Sequence, residues 1–222
     1  MNSTLPVNEI FETIQGEAHF TGTPSVFIRL QGCDVGCHWC DTKHTWDVKP
    51  EFEIAPALLF MKSEDSNYYA EMSVNDLMDT LDEFKARHIV ITGGEPCMHN
   101  IEELTNAIIN SGRSCQLETS GTYPINVHHM TWVTLSPKLN MAGKKEVIKE
   151  NILKAHEIKY PVGKMEDIDN LKEHIYYETS QDAEIWLQPL SQSDKATALC
   201  VEQAIKNNFK ISIQVHKYLG LR

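Results

Sequence analysis

Short apolar runs rich in β-branched residues recur along this chain with helix-compatible segments between them, and that alternation constrains the fold more than any other feature. The runs are Ser25 to Leu30, His88 to Thr92, Cys115 to Thr119, Trp132 to Leu135, Glu157 to Tyr160, Ile185 to Gln188 and Lys210 to Gln214. Each has the length of a strand and ends beside chemically reactive residues. Helices are expected between them at Ser73 to Lys85, Ile101 to Asn110, Glu146 to Ala155, Ile168 to Tyr177 and Asp194 to Asn207. Ser73 and Asp76 have the spacing of a capping box, and Gly112 stands where a helix stop is expected. Strands joined by helices predict a parallel sheet, and reactive residues past strand ends predict an α/β barrel or an open relative of one. With 222 residues the chain is shorter than the ~250 typical of an eight-unit barrel. We therefore expect one domain over residues 1 to 222, built as an open, partial (β/α) barrel. Residues 47 to 72 break the alternation and read as an irregular insertion with one short helix.

Twenty Lys and Arg against 31 Asp and Glu give a net charge of -11, so the surface repels a phosphate backbone and nucleic acid is not an expected partner. No basic segment followed by an apolar one opens the sequence, and no apolar run nears the ~20 residues of a membrane span. A cytoplasmic location and no membrane partner are the expectations. In a reducing compartment six cysteines serve as thiols, ligands or catalytic groups rather than disulfides. Cys97, Cys115 and Cys200 are scattered and are expected to pack as small hydrophobes. Cys33, Cys37 and Cys40 cluster, at C-x3-C-x2-C spacing directly after a predicted strand.

A loop of that kind can wrap one metal centre. Three thiols on a 4Fe-4S cluster leave one iron without a protein ligand and free to bind a small molecule. On spacing alone two alternatives stay open: a zinc site completed by His38 or His44, and a Cys37/Cys40 redox pair with Cys33 incidental. The aromatic Trp39 before the last cysteine makes the motif resemble the signature of the radical S-adenosylmethionine superfamily. In that superfamily the cofactor's amino and carboxylate groups bind the unique iron, and reductive cleavage yields a 5'-deoxyadenosyl radical. Gly93-Gly94-Glu95-Pro96, by itself an ordinary strand-to-helix turn, resembles the superfamily's GGE motif. The resemblance implies S-adenosylmethionine contacts from Trp39, Cys40, Asp41, Gly94, Ser136, Pro137, Lys138 and Gln188.

Within that superfamily, Asn8 to Glu17, Gly22 to Cys33 and Cys40-Asp41-Thr42 resemble the 7-carboxy-7-deazaguanine synthase family of 7-deazapurine and queuosine biosynthesis. The likeness continues through Leu117 to Thr122, Ser136 to Asn140, Glu157 to Lys159, Leu187 to Pro189 and Gln214 to Lys217. It implies about six parallel strands with three main helices, and ring contraction of 6-carboxy-5,6,7,8-tetrahydropterin to 7-carboxy-7-deazaguanine with loss of ammonia. It implies a 4Fe-4S cluster on Cys33, Cys37 and Cys40, S-adenosylmethionine as a regenerated cofactor, and Mg2+ beside the Thr42 hydroxyl. Ile14, Gln15, Gly16, Arg29 and Thr92 would line the pterin pocket, with Glu17, Gln214 and His216 as weaker candidates. Arg29 would face the substrate carboxylate; an ion pair with a protein carboxylate is the commoner use of a cation in an apolar strand. A flavodoxin or ferredoxin electron donor and a homodimer are the partners implied. Ala18 departs from the glycine many members carry, placing a methyl group in the presumed substrate loop. The rivals are a radical activase acting on a partner protein and a non-catalytic zinc-binding module.

Overall fold

The parallel sheet follows from strands whose two faces differ. The computed structural model describes residues 4 to 221. In β2 (Pro24–Leu30), β4 (His88–Gly93), β5 (Ser114–Thr119), β6 (Trp132–Leu135), β7 (Glu157–Val162) and β8 (Glu184–Pro189), alternate residues are aliphatic and buried. Val26, Ile28, Ile89, Ile91, Cys115, Leu117 and Val133 join one apolar cluster. Leu135, Ile158, Tyr160, Val162, Ile185 and Leu187 join a second. Because side chains alternate along a strand, the other face carries Arg29, His88, Gln116, Glu118, Thr134, Glu157, Lys159 and Gln188. That inner face is polar, which is unusual for a parallel sheet, whose strands normally read as continuous apolar runs.

These six strands and the two-residue β9 (Lys210–Ile211) run parallel; β1 (Thr4–Ile14) pairs antiparallel with β2 on one side and with the edge strand β3 (Ala70–Ser73) on the other. The order is β3-β1-β2-β4-β5-β6-β7-β8-β9, with no pairing between the ends, so the barrel is open. Sequence reasoning placed no strand at β1 or β3. Lys210 to Gln214 was expected to be a full strand, but pairing stops at Ile211, because Gln214 turns inward to donate to Glu17 and a short helix α7 (Val215–Leu219) follows.

Helices cover the outer face. After the four-residue α1 (Pro56–Leu59) come α2 (Val74–Asp82), α3 (Glu102–Asn110), α4 (Lys149–Lys154), α5 (Met165–His174) and α6 (Asp194–Asn207). Four of these, rather than three, have nine or more residues. In α2 the apolar positions Val74, Leu77 and Leu81 recur at helical spacing and are buried; each such leucine contributes about 1.5–3 kcal/mol. Its start is the expected capping box, Ser73 Oγ accepting from Asp76 N at 3.2 Å and Asp76 Oδ2 from Ser73 N at 3.0 Å. Helix α4 is shorter than the expected Glu146 to Ala155, since Ile148 is extended and its N donates to Gly121 O at 2.9 Å, tying the residues before the helix to the loop after β5.

The insertion is tied to the sheet rather than free of it. Beside a register shift in β1, Asn8 Nδ2 donates to Gln31 Oε1, Ser66 O and Tyr68 O, while Lys62 Nζ donates to Asn8 O at 3.0 Å. Residues 70 to 72 of the insertion form most of β3. Among the described residues no helix is long and apolar enough to cross a membrane.

Candidate active site

The cysteine loop leaves β2 at Leu30 and is fixed by its backbone. Gly32 N donates to Thr45 O at 2.7 Å and Cys33 N to Trp46 O at 3.0 Å. Asp34 accepts from Tyr123 OH and pairs with Lys145 Nζ, both at 2.7 Å. Burial opposes ionisation of Asp34, but these two partners hold its carboxyl below the usual range. The end of β4 presses on the same loop: Gly93 has φ +135, and a Cβ on Gly94 would collide with the Gly32 carbonyl and reach Cys33 Cβ at 3.0 Å. The Gly-Gly pair is therefore required by this backbone crossing, whatever it contacts in a ligand. Glu95 is buried and accepts from Cys97 N, Thr119 Oγ1, Ser120 N and Ser120 Oγ at 2.5–3.0 Å, locking the loop after β4 to the end of β5.

Cys33, Cys37 and Cys40 share the wall of one cavity of about 340 Å³ at the C-terminal ends of the parallel strands. A tetrahedral zinc ion would hold its sulfurs roughly 3.8 Å apart. Among the described residues the only group of His, Cys, Asp and Glu ligand atoms within 4.8 Å of one another is Glu9, His44 and Asp65. The three thiols are not among such close groups of three, and as ligands of a 4Fe-4S cluster they would leave one iron free; His44 lies with carboxylates rather than with the cysteines. All six cysteines are free thiols. Burial pushes the Cys33 thiol up to about 11 and raises Cys37 too, with Glu95 and the neighbouring thiols adding to the effect. Metal coordination here must therefore expel protons.

The same cavity carries charge in its lining. Lys159 Nζ lies 2.5 Å from Glu17 Oε2 and 3.3 Å from Glu118 Oε1, with only 8% of the lysine side chain exposed. Glu17 also accepts from Gln214 Nε2 at 2.9 Å and Gln188 Nε2 at 3.3 Å. Burial alone would raise the Glu17 carboxyl, but the Lys159 charge and these hydrogen bonds hold it at about 2. Burial disfavours the Lys159 ammonium, yet Glu118 and Glu17 outweigh it and raise its pKa. Gln15 is buried, and its amide is committed on both sides, donating to Gln116 Oε1 and Glu118 Oε1 and accepting from Glu17 N. Lys138 donates to Ser136 Oγ at 2.5 Å, and burial lowers its pKa.

The sequence-derived candidates converge. Ile14, Gln15, Gly16, Glu17, Arg29, Trp39, Asp41, Thr42, Thr92, Gly94, Ser136, Lys138, Gln188, Gln214 and His216 all line the cavity together with the three cysteines. Pro137 does not; it is buried behind Ser136 and Lys138. Ala18 lies outside the lining, buried with φ 54, its N donating to Ser212 Oγ at 3.1 Å, so its methyl group strains the turn rather than crowding the cavity. Arg29 lines the cavity and also has a protein partner, with Nε 3.4 Å from Glu9 Oε2 and the guanidinium 5.9 Å from the Phe11 ring centroid. Glu17 is no solvated carboxylate, and His216 packs against Gly16, whose O accepts from Val215 N at 2.9 Å. Sequence reasoning did not single out Glu118 or Lys159. Their signal is the polar half of the period-two pattern in Gln116-Leu117-Glu118 and Glu157-Ile158-Lys159.

Residues 27–169 match the model of the Radical SAM superfamily. The 7-carboxy-7-deazaguanine synthase of Escherichia coli strain K12 is 48% identical over 219 residues, covering 97% of this chain and 98% of the relative. The enzyme of the same name from Buchnera aphidicola subsp. Schizaphis graminum is 45% identical, covering 98% and 99%. The crystal structure of QueE from Escherichia coli superposes with a TM-score of 0.92 at 47% identity, over 95% of this chain and 94% of that one. The chain belongs to the radical S-adenosylmethionine superfamily and, within it, to the 7-carboxy-7-deazaguanine synthase family.

Proposed function

We propose that this chain converts 6-carboxy-5,6,7,8-tetrahydropterin to 7-carboxy-7-deazaguanine by a radical-mediated ring contraction with loss of ammonia, as a lyase of queuosine and 7-deazapurine biosynthesis. The observation that carries the reading is one cavity lined by the three thiols together with Arg29, Glu17, Glu118 and Lys159. As a radical S-adenosylmethionine enzyme it uses a 4Fe-4S cluster and S-adenosylmethionine, with Mg2+ as a third cofactor. When bound, the cluster and S-adenosylmethionine supply the one-electron chemistry that takes a hydrogen atom from the substrate.

The chain's own residues bind and orient. Cys33, Cys37 and Cys40 hold the cluster. Trp39, Asp41, Gly94, Ser136, Lys138 and Gln188 form the S-adenosylmethionine side, Lys138 offering an ammonium to a carboxylate or ribose oxygen, and Pro137 fixes the turn between Ser136 and Lys138. The Thr42 hydroxyl, 3.6 Å from Cys40 Sγ, would be the chain's own oxygen for Mg2+; a neutral single oxygen binds that hard ion weakly unless the substrate carboxylate adds its own. Arg29 keeps Glu9 as an anchor and turns its remaining guanidinium donors to the same carboxylate. Ile14, Gly16, Thr92, Gln214 and His216 enclose the pterin ring, and Gln15, with its amide already committed, holds Glu118 in place.

The nine-stranded sheet supports reading the chain as one domain with a family-variable insertion at 47 to 72. A flavodoxin or ferredoxin electron donor, a homodimer and a cytoplasmic location complete the proposal. Anaerobic reconstitution followed by mass spectrometry of carboxypterin turnover, with S-adenosylmethionine, Mg2+ and a reductant, tests it. Formation of 7-carboxy-7-deazaguanine is expected; cleavage of S-adenosylmethionine with the pterin untouched would overturn the substrate.

A further inference from the structure

We infer that Lys159 is a positioning residue for the reaction: seated between Glu17 and Glu118, its ammonium fixes both carboxylates side by side on the cavity wall, as paired acceptors for the nitrogen-bearing ring of the substrate. The inference rests on the pterin reading of the cavity. Glu17 and Glu118 reach the cavity from different parts of the chain, the turn after β1 and the strand β5, and Lys159 on β7 bridges them at 2.5 and 3.3 Å. With 13% and 17% of their side chains exposed, two carboxylates so close would repel, and one would take up a proton and cease to be an acceptor. A protonated carboxyl then donates where the ring also donates.

The other charged or titratable groups facing this trio are Glu157 on β7, Lys138 beyond β6, His216 on α7 and His88 on β4. None replaces the bridge. Glu157 is occupied by Thr134 Oγ1 at 2.6 Å and His19 N at 3.1 Å, and Lys138 by Ser136. His88 is held by Ser114 and Gln116.

The test is steady-state kinetics of the reconstituted enzyme from about pH 6 to 9, the range in which a desolvated carboxyl titrates. Lys159→Met is expected to raise KM for the carboxypterin about ten- to hundredfold at neutral pH, with the defect shrinking as pH rises and the carboxylates ionise. Iron content should match wild type, and Lys159→Arg should restore a low KM that does not vary with pH. A KM unchanged in Lys159→Met, or raised equally at every pH, would overturn the role. If Lys159→Met does not fold, the double variant Glu17→Gln with Lys159→Met, which removes one charge of each sign and with them the repulsion, should show a raised KM that does not vary with pH, and a defect that shrinks as pH rises would overturn the role. Wild-type turnover separates the two readings: failure of the wild type to convert the pterin sinks the substrate, whereas normal wild-type turnover with pH-independent variant kinetics sinks only Lys159.

Discussion

Glu17 makes the fold's response to acid calculable in sign. Its carboxyl is held at about 2 in place of the ordinary 4.5, so the unfolded chain binds that proton more readily than the folded one. The stabilisation is fully present above pH 4.5 and is lost as pH falls through about 2. In urea unfolding at pH 7, Glu17→Gln should lose about 3 kcal/mol, the usual cost of breaking a buried pair, and its gap to wild type should narrow below pH 4.5; a gap constant down to pH 3 would remove this ion pair from the stability of the fold. Arg29→Ala should raise KM for the carboxypterin at least about tenfold with the cluster's iron intact, and an unchanged KM would take Arg29 out of the substrate site. Thr42→Ala should weaken the Mg2+ response, which a Mg2+ titration of turnover checks. At this scale the C-x3-C-x2-C spacing of Cys33, Cys37 and Cys40 stands out in the sequence by itself, whereas Gly94 and the Ser136 to Lys138 turn are singled out only by the family resemblance; Gly94, Ser136 and Lys138 share the cavity lining with the cysteines. Glu118 and Lys159 were singled out by neither, because a single polar residue in a strand reads equally well as an outward-facing one until the sheet's curvature is known.

Elements were legible where their pattern is intrinsic and obscure where neighbours create them. Helix α6 begins and ends as expected, with Ser193 Oγ accepting from Ala196 N and Asn208 in the left-handed region as its stop. The strands β2 and β4 to β8 were found to within a residue or two, since β-branched runs fix them. By contrast β1 contains Pro6, Asn8, Glu9 and Glu12, whose polarity hides it; Glu12 Oε1 in fact accepts from Lys85 N and Ala86 N, and Asn8 anchors the insertion. Strand β3 is four residues long and exists because β1 offers it an edge. The capping box of α2 gives the test at this scale. Ser73→Ala should lower the unfolding free energy by about 1 kcal/mol, read as a shift in denaturant midpoint with unchanged slope, and no shift would mean that α2 is held by Leu77 and Leu81 alone.

Across the whole molecule the two large apolar clusters lie on the outer face of the sheet, and the cysteines belong to a small separate one with Val35 and Met141. Replacing Cys33, Cys37 and Cys40 together by alanine should therefore abolish the visible absorbance and all turnover while leaving far-ultraviolet circular dichroism near that of wild type; a spectrum of unfolded chain would show that the metal centre, and not the sheet, supplies the folding energy. Alternation and chain length together point to the open barrel, but not to its polar interior, since β-branched runs mark strands without showing that their two faces differ in chemistry. That interior is closed by segments far apart in the chain: Gln214 meets Glu17 across 197 residues. A ribosome emitting roughly 5–20 residues per second delivers Glu17 some ten to forty seconds before its partner. Throughout that interval Glu17 lacks one of the hydrogen bonds that hold it, so this wall of the cavity can settle only late in synthesis, after the cysteine loop has already emerged.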